Sequence, residues 1–303
     1  MSFAFPRYKS SQVIVWCIML ISVWSMSACQ PIQPVQPVAT EAQQIPEVLI
    51  EVNDTEFTIP ADFPGGIVAV TVQNNSDTEL DVSFARLREG TSMAEIQELA
   101  EDFMSNLIPI LEKTGVMASF NPVPAGESRE IIIDFKTGEF LLDATEHTEE
   151  DPLPGAAHIY GSFTADEIVG TVEPQADVTV EMRDFTFIMP DEIKAGELLW
   201  QFNNQGEQWH MALMLKPTPG VSMEVMIEAM LQEGEPSGPP PFEFVADVGV
   251  PPISEGERAW LSFELEPGEY LVICPIPDVA AMAAGEEPMA HVEKGMHRVL
   301  TVK

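Results

Sequence analysis

The sequence predicts an all-β chain made of two tandem β-sandwiches, each interrupted by one helix, and three observations carry that expectation. The first is a repeat at a constant offset of 130 residues. Val48, Glu51, Asp54, Phe57, Pro60 and Gly66 recur as Val178, Glu181, Asp184, Phe187, Pro190 and Gly196; Asn74, Gly90, Ser92 and Met93 recur as Asn204, Gly220, Ser222 and Met223; Pro122, Gly126, Glu127, Gly138, Glu139 and Leu141 recur as Pro252, Gly256, Glu257, Gly268, Glu269 and Leu271. The second is alternation of apolar residues, as in Val68, Val70 and Val72, their counterparts Leu198, Trp200 and Phe202, and again Ile131, Ile133 and Phe135. That is the period of a strand with one buried face. The third is turn chemistry between those runs, at Asn74-Asn75-Ser76, Asn204-Gln205-Gly206, Thr137-Gly138 and Pro267-Gly268.

From the N-terminus, residues 1–28 carry Arg7 and Lys9, no acid, and an apolar run from Val13 through Met26 that is short for a membrane span. They read as a signal peptide. Met26-Ser27-Ala28-Cys29 resembles the lipobox of bacterial lipoproteins, which implies cleavage before Cys29 and lipid attached to its thiol. Residues 29–46 hold prolines at 31, 34, 37 and 46 and little apolar periodicity, so they read as an extended tether from a membrane anchor. The repeat then sets two domains, 47–172 and 173–303.

Within each copy the helix starts at a capping serine. Ser92 with Glu95 forms a capping box, and Met93, Ile96, Leu99, Ala100, Phe103 and Leu107 share one face. Met223, Met226, Ile227, Met230 and Leu231 repeat it. A methionine stripe at that spacing is core packing.

Charge narrows the partners. Of the 14 Lys+Arg in the full sequence, Arg7 and Lys9 leave with the signal peptide, so 12 remain against 49 Asp+Glu, a formal net charge of −37. Such a surface disfavours nucleic acid and admits a cationic redox or surface protein as partner. Of three cysteines, Cys17 lies in the signal peptide and Cys29 carries lipid, which leaves Cys274 without a partner for an intrachain disulfide. Cys274 is therefore either a buried thiol or a metal ligand.

The second copy concentrates the remaining chemistry. A turn at Asn203-Asn204-Gln205-Gly206 delivers His210 to the start of a strand; Pro267-Gly268-Glu269-Tyr270 begins another that ends at Cys274; after 16 intervening residues come His291 and then Gly295-Met296 before the last strand. This order of His, Cys, His and Met resembles the cupredoxins, the plastocyanin and azurin family, over nearly all of residues 173–303. The resemblance implies Greek-key sandwiches, and a copper site with His210, Cys274 and His291 as trigonal ligands and Met296 as the weak axial one. Leu80 and Ala144 stand in the first copy where His210 and Cys274 stand in the second, with Ser162 or Phe163 near the place of Met296, so the first domain lacks that site. His158 is expected in the place of His291, and His147 and His158, lying among acids, are expected to be hydrogen-bonded surface residues.

Two functions follow as expectations: type 1 copper binding with electron transfer outside the cytoplasm, or a metal-free acidic binding or scaffold module at the cell surface. Enzyme activity is not expected. Multicopper oxidases flank the cysteine with histidines, whereas Ile273 and Pro275 flank it here, and five histidines are too few for a trinuclear cluster.

Overall fold

The computed structural model describes residues 44–119, 122–147, 158–231 and 239–303. The expected signal peptide, Cys29 and most of the expected tether lie outside the described residues. Ala42–Lys303 form one compact unit, and among the described residues no helix is long and apolar enough to cross a membrane.

The first copy contributes β1 (Glu47–Val52), β2 (Phe57–Thr58), β3 (Phe63–Asn74), β4 (Leu80–Leu87), β5 (Thr114–Ser119), β6 (Ser128–Phe135), β7 (Gly138–Glu146) and β8 (His158–Gly170). The second contributes β9 (Val178–Arg183), β10 (Thr186–Ile188), β11 (Glu192–Ile193), β12 (Gly196–Asn204), β13 (His210–Pro217), β14 (Phe242–Ile253), β15 (Arg258–Leu265), β16 (Gly268–Ile273) and β17 (His297–Val302). The two copies share one strand order. β2-β1-β3-β6 in the first matches β10-β9-β12-β15 in the second, and β8-β7-β4-β5 matches β17-β16-β13-β14. In the first copy the start of β3 crosses over to pair with β8, Phe63 opposite Ala165; in the second this segment is the separate β11, which pairs with β17. The all-β tandem sandwich fold expected from the repeat is the observed one.

The alternation becomes burial. Val68, Val70 and Val72 on β3 and Trp200 and Phe202 on β12 are buried, as are Ile131, Ile133 and Phe135 on β6. Phe135 holds the middle of a ring cluster in the first copy, 5.1 Å from Phe63, 5.3 Å from Phe140 and 5.6 Å from Phe163, mostly edge to face.

Each copy carries a second helix besides the one expected. Ser92 caps α1 (Met93–Ala100), its side chain accepting from the Glu95 amide at 3.3 Å. The stripe read through Leu107 breaks there, because Asp102 starts α2 (Phe103–Lys113) by accepting from the Ser105 amide. The Glu95 side chain pairs with Lys113 at 2.9 Å, so its carboxylate ties the two helices together. Ser222 caps α3 (Met223–Met230) as expected, and α4 (Val279–Ala283) lies between Cys274 and His291.

The copies meet along a seam that the repeat does not announce. β15 pairs with β6, Ala259 opposite Ile133 and Trp260 opposite Ile132. Beside it the Glu257 side chain, 1 % exposed, takes Arg86 at 2.9 Å and Lys136 at 3.3 Å from the other copy, and Arg258 binds Asp134 at 2.8 Å.

Candidate metal centre

The loop before β13 is built by a buried amide. Asn204 donates from Nδ2 to the carbonyls of Gln208 and Ile253, both at 2.8 Å, and accepts from the Gly206 amide at 2.9 Å. Asn74 does the same in the first copy with Thr78, Val123 and Ser76. The scaffold is therefore a property of the fold, and the chemistry lies in what it presents: Gln208 and His210 in the second copy, Thr78 and Leu80 in the first.

His210, Cys274 and His291 converge. Their ligand atoms lie within 4.8 Å of one another, and all three residues, with Met296, are 0 % exposed. The two Nδ1 atoms are 3.1 Å apart, and Cys274 Sγ is 3.4 Å from Nδ1 of His291 and 4.0 Å from Nδ1 of His210.

The outer ring nitrogens fix the protons. Asp184 Oδ1 lies 3.0 Å from Nε2 of His210, and a carboxylate there only accepts, so Nε2 carries the hydrogen. Gln208 Oε1 accepts from the Val279 amide at 2.9 Å, which identifies it as the oxygen, and it lies 3.3 Å from Nε2 of His291. Both histidines are thereby held as Nε2–H tautomers with bare Nδ1 lone pairs facing inward. Two lone pairs at 3.1 Å, with one thiol proton to share between them, leave an acceptor unsatisfied unless a cation sits there.

Electrostatics keeps the imidazoles neutral. Burial lowers the pKa of His210 against the pull of Asp184. Burial, reinforced by neighbouring His210, lowers that of His291 to about 4. Burial pushes the Cys274 thiol up to about 11, opposed by amide donors from Met211 and Ile276 that favour the thiolate. Around the Asp184 carboxyl, burial raises the pKa, but the Glu207 amide and the His210 bond outweigh it and the net shift is downward.

The stretch of 16 residues between Cys274 and His291 is closed at its base. Pro277 bridges Ala290, the Asp278 amide donates to Met289 at 2.9 Å, and the His291 amide donates to Ile276 at 2.8 Å. Asp278 caps α4 and pairs with Lys294. The entropy of a long loop is thus confined beyond the bridge, and His291 leaves a short, hydrogen-bonded turn. Met296 follows: its amide donates to His291 at 2.9 Å and its carbonyl accepts from the Cys274 amide at 3.2 Å.

The first copy keeps the strands and loses the donors. Leu80 and Ala144, both buried, fill the positions of His210 and Cys274. Strand register corrects the assignment of the other two positions. Ile273 opposes His297 on β17, and its counterpart Asp143 opposes Tyr160 on β8. Met296 therefore corresponds to Ile159, not to Ser162 or Phe163, and His158 corresponds to Gly295, not to His291. Counting loop residues misses this because the two loops differ in length. His158 and His147 are hydrogen-bonded as expected, to Asp143 at 2.8 Å and to Asp81 at 3.0 Å. Sequence reasoning singled out Asp184 as a repeat position only and did not find Gln208; a carboxylate at the turn facing a histidine was the available signal for the first.

The donor set, two neutral imidazoles, a thiolate and a thioether, is soft and fits copper over harder divalent ions. No protein-family profile and no curated protein sequence matches the chain. Solved structures do resemble it. Auracyanin from Roseiflexus castenholzii is 19 % identical over 41 % of this chain and 94 % of its own, with a TM-score of 0.26. Auracyanin A of Chloroflexus aurantiacus, a blue copper protein, is 21 % identical over 42 % and 98 %, with a TM-score of 0.25. A copper-containing nitrite reductase of Thermus scotoductus is 11 % identical over 86 % of this chain and 62 % of its own, with a TM-score of 0.25. The expectation that the chain is not an enzyme is corrected: the structures similar over 85 or 86 % of its length include that reductase and multicopper oxidases. The proteins that this chain resembles are thus blue copper proteins and copper enzymes alike.

Proposed function

We propose that this is an extracytoplasmic cupredoxin-like protein, anchored by lipid on Cys29, that binds copper in its second sandwich and passes electrons. Residues 47–172 and 173–303 are its two domains in this reading. The observation that carries it is the convergence of His210, Cys274 and His291 with both Nδ1 atoms turned inward and both Nε2 atoms held by Asp184 and Gln208.

Each residue has a role. His210 and His291 would supply imidazole nitrogen, Cys274 the thiolate, and Met296 a weak thioether. Copper held by this set supplies a one-electron couple. The Met211 and Ile276 amides offset the thiolate charge, and the buried surroundings exclude water from all four ligands. The acidic surface favours a cationic redox protein as partner, and nucleic acid is not a partner in this reading. Support for the anchor is the signal sequence and Cys29.

The purified full-length chain titrated with Cu(II) is expected to bind one equivalent and to develop an intense thiolate-to-copper absorption. Cys274→Ser is expected to lose that band. A colourless wild type with no more copper than Cys274→Ser contradicts the proposal.

A further inference from the structure

The two copies present the same loop with different residues at three places, and the differences gather around the metal centre. Asp54 Oδ1 accepts from the Asp77 amide at 3.2 Å in the first copy, as Asp184 Oδ1 accepts from the Glu207 amide at 3.0 Å in the second. That contact belongs to the fold. What the second copy adds is His210 on the same carboxylate, with room made for it by Gly206. A Cβ at 206 would lie 2.5 Å from Asp184 Oδ1 and 2.6 Å from His210 Nε2. The first copy has Ser76 there, its hydroxyl bonded to Asn74 Oδ1 at 2.6 Å.

The third difference is Phe185. In the first copy Val52 pairs with Phe57 across the four residues Asn53–Glu56, with Asn53 Oδ1 accepting from Thr55 and Glu56. In the second the pairing runs one step further, to Arg183 and Thr186, and leaves a two-residue turn. Phe185 occupies its second place at φ 62°, and among the described residues it is the one non-glycine with positive φ. Glycine would serve that turn with less strain. The phenyl ring instead packs edge-on to His291 at 5.1 Å, with Lys294 Nζ over the ring 4.5 Å from its centroid. Lys294 is in turn paired with Asp278, which caps α4 in the loop before His291. Phe185 is itself half-buried, whereas His291 beneath it is 0 % exposed.

We propose that Phe185 closes the metal centre: its ring, pinned by Lys294, stands between His291 and solvent, so that copper is held as a resident cofactor and not handed on as cargo. The assignment rests on the copper reading above and specifies how that site treats its metal. Phe185 is a positioning residue, acting on copper through His291 and not by ligation.

The test is metal loss. The full-length chain loaded with one equivalent of Cu(II) is challenged with excess chelator, and decay of the thiolate-to-copper band is followed in wild type, Phe185→Gly and Phe185→Leu. Phe185→Gly relieves the backbone, so its unfolding temperature is expected to equal or exceed that of wild type, yet its copper should be lost at least about tenfold faster because opening above His291 is easier. The resting band should keep its position, and Phe185→Leu, which restores apolar bulk, should recover most of the slow rate. Equal rates in wild type and Phe185→Gly overturn this inference while leaving the copper site standing. A wild type that binds no copper overturns both.

Discussion

Replacing His210 by alanine is expected to lower the copper affinity of the chain by more than about 100-fold, beyond the loss usual for a residue that merely supports a ligand. The alanine removes one of two imidazole donors, the one that the Asp184 carboxylate orients. Replacing Met296 by leucine should act differently. A thioether is a weak ligand, so affinity should fall by less than about tenfold, while the reduction potential rises because an apolar side chain disfavours the more highly charged Cu(II). Isothermal titration with Cu(II) and voltammetry on the loaded protein separate the two outcomes. If both variants lose affinity alike, Met296 is not a weak ligand; if neither does, the metal is held elsewhere.

The seam between the copies carries the second large effect. Glu257 is 1 % exposed on its side chain and faces Arg86 and Lys136 across the junction. Arg86→Ala removes the closer partner, at 2.9 Å, and leaves a buried carboxylate with only the looser lysine. A buried pair broken on one side costs about 3–5 kcal/mol; Arg86 is 31 % exposed on its side chain, so about 2–3 kcal/mol is expected here. For a chain of this size that is a fall in Tm of roughly 5–10 °C by calorimetry. Glu257→Gln, which removes the charge and keeps the shape, should cost less than Arg86→Ala. The reverse order would mean that the cluster is solvated and does not lock the copies together.

These two regions were not equally legible in the sequence. Fold and strand order were, because alternation and turn residues depend on local chemistry and the 130-residue offset states them twice. The convergence of His210, Cys274 and His291 was legible too, since these are residue types whose order carries meaning without coordinates. The seam was hidden: Glu257 and its counterpart Glu127 look alike in sequence, and only one of them meets Arg86. Helix α2 was hidden because the apolar stripe runs on in phase through Glu101 and Asp102, and the break depends on Asp102 turning its carboxylate back to Ser105. Gln208 and Phe185 act through contacts made across 83 residues and between the β9–β10 turn and the last loop. No spacing rule reaches that far. His158 was misplaced for a related reason, because loop counting ignores the register that aligns it with Gly295.

One copper ion held among Cys274, His210 and His291 would carry a distinctive set of neighbours. X-ray absorption at the copper edge, on the full-length chain carrying one equivalent, tests it most directly. The expected ligand set is one sulfur and two imidazole nitrogens, with the sulfur signal absent in Cys274→Ser. A ligand set of nitrogen and oxygen alone, unchanged by Cys274→Ser, would contradict it.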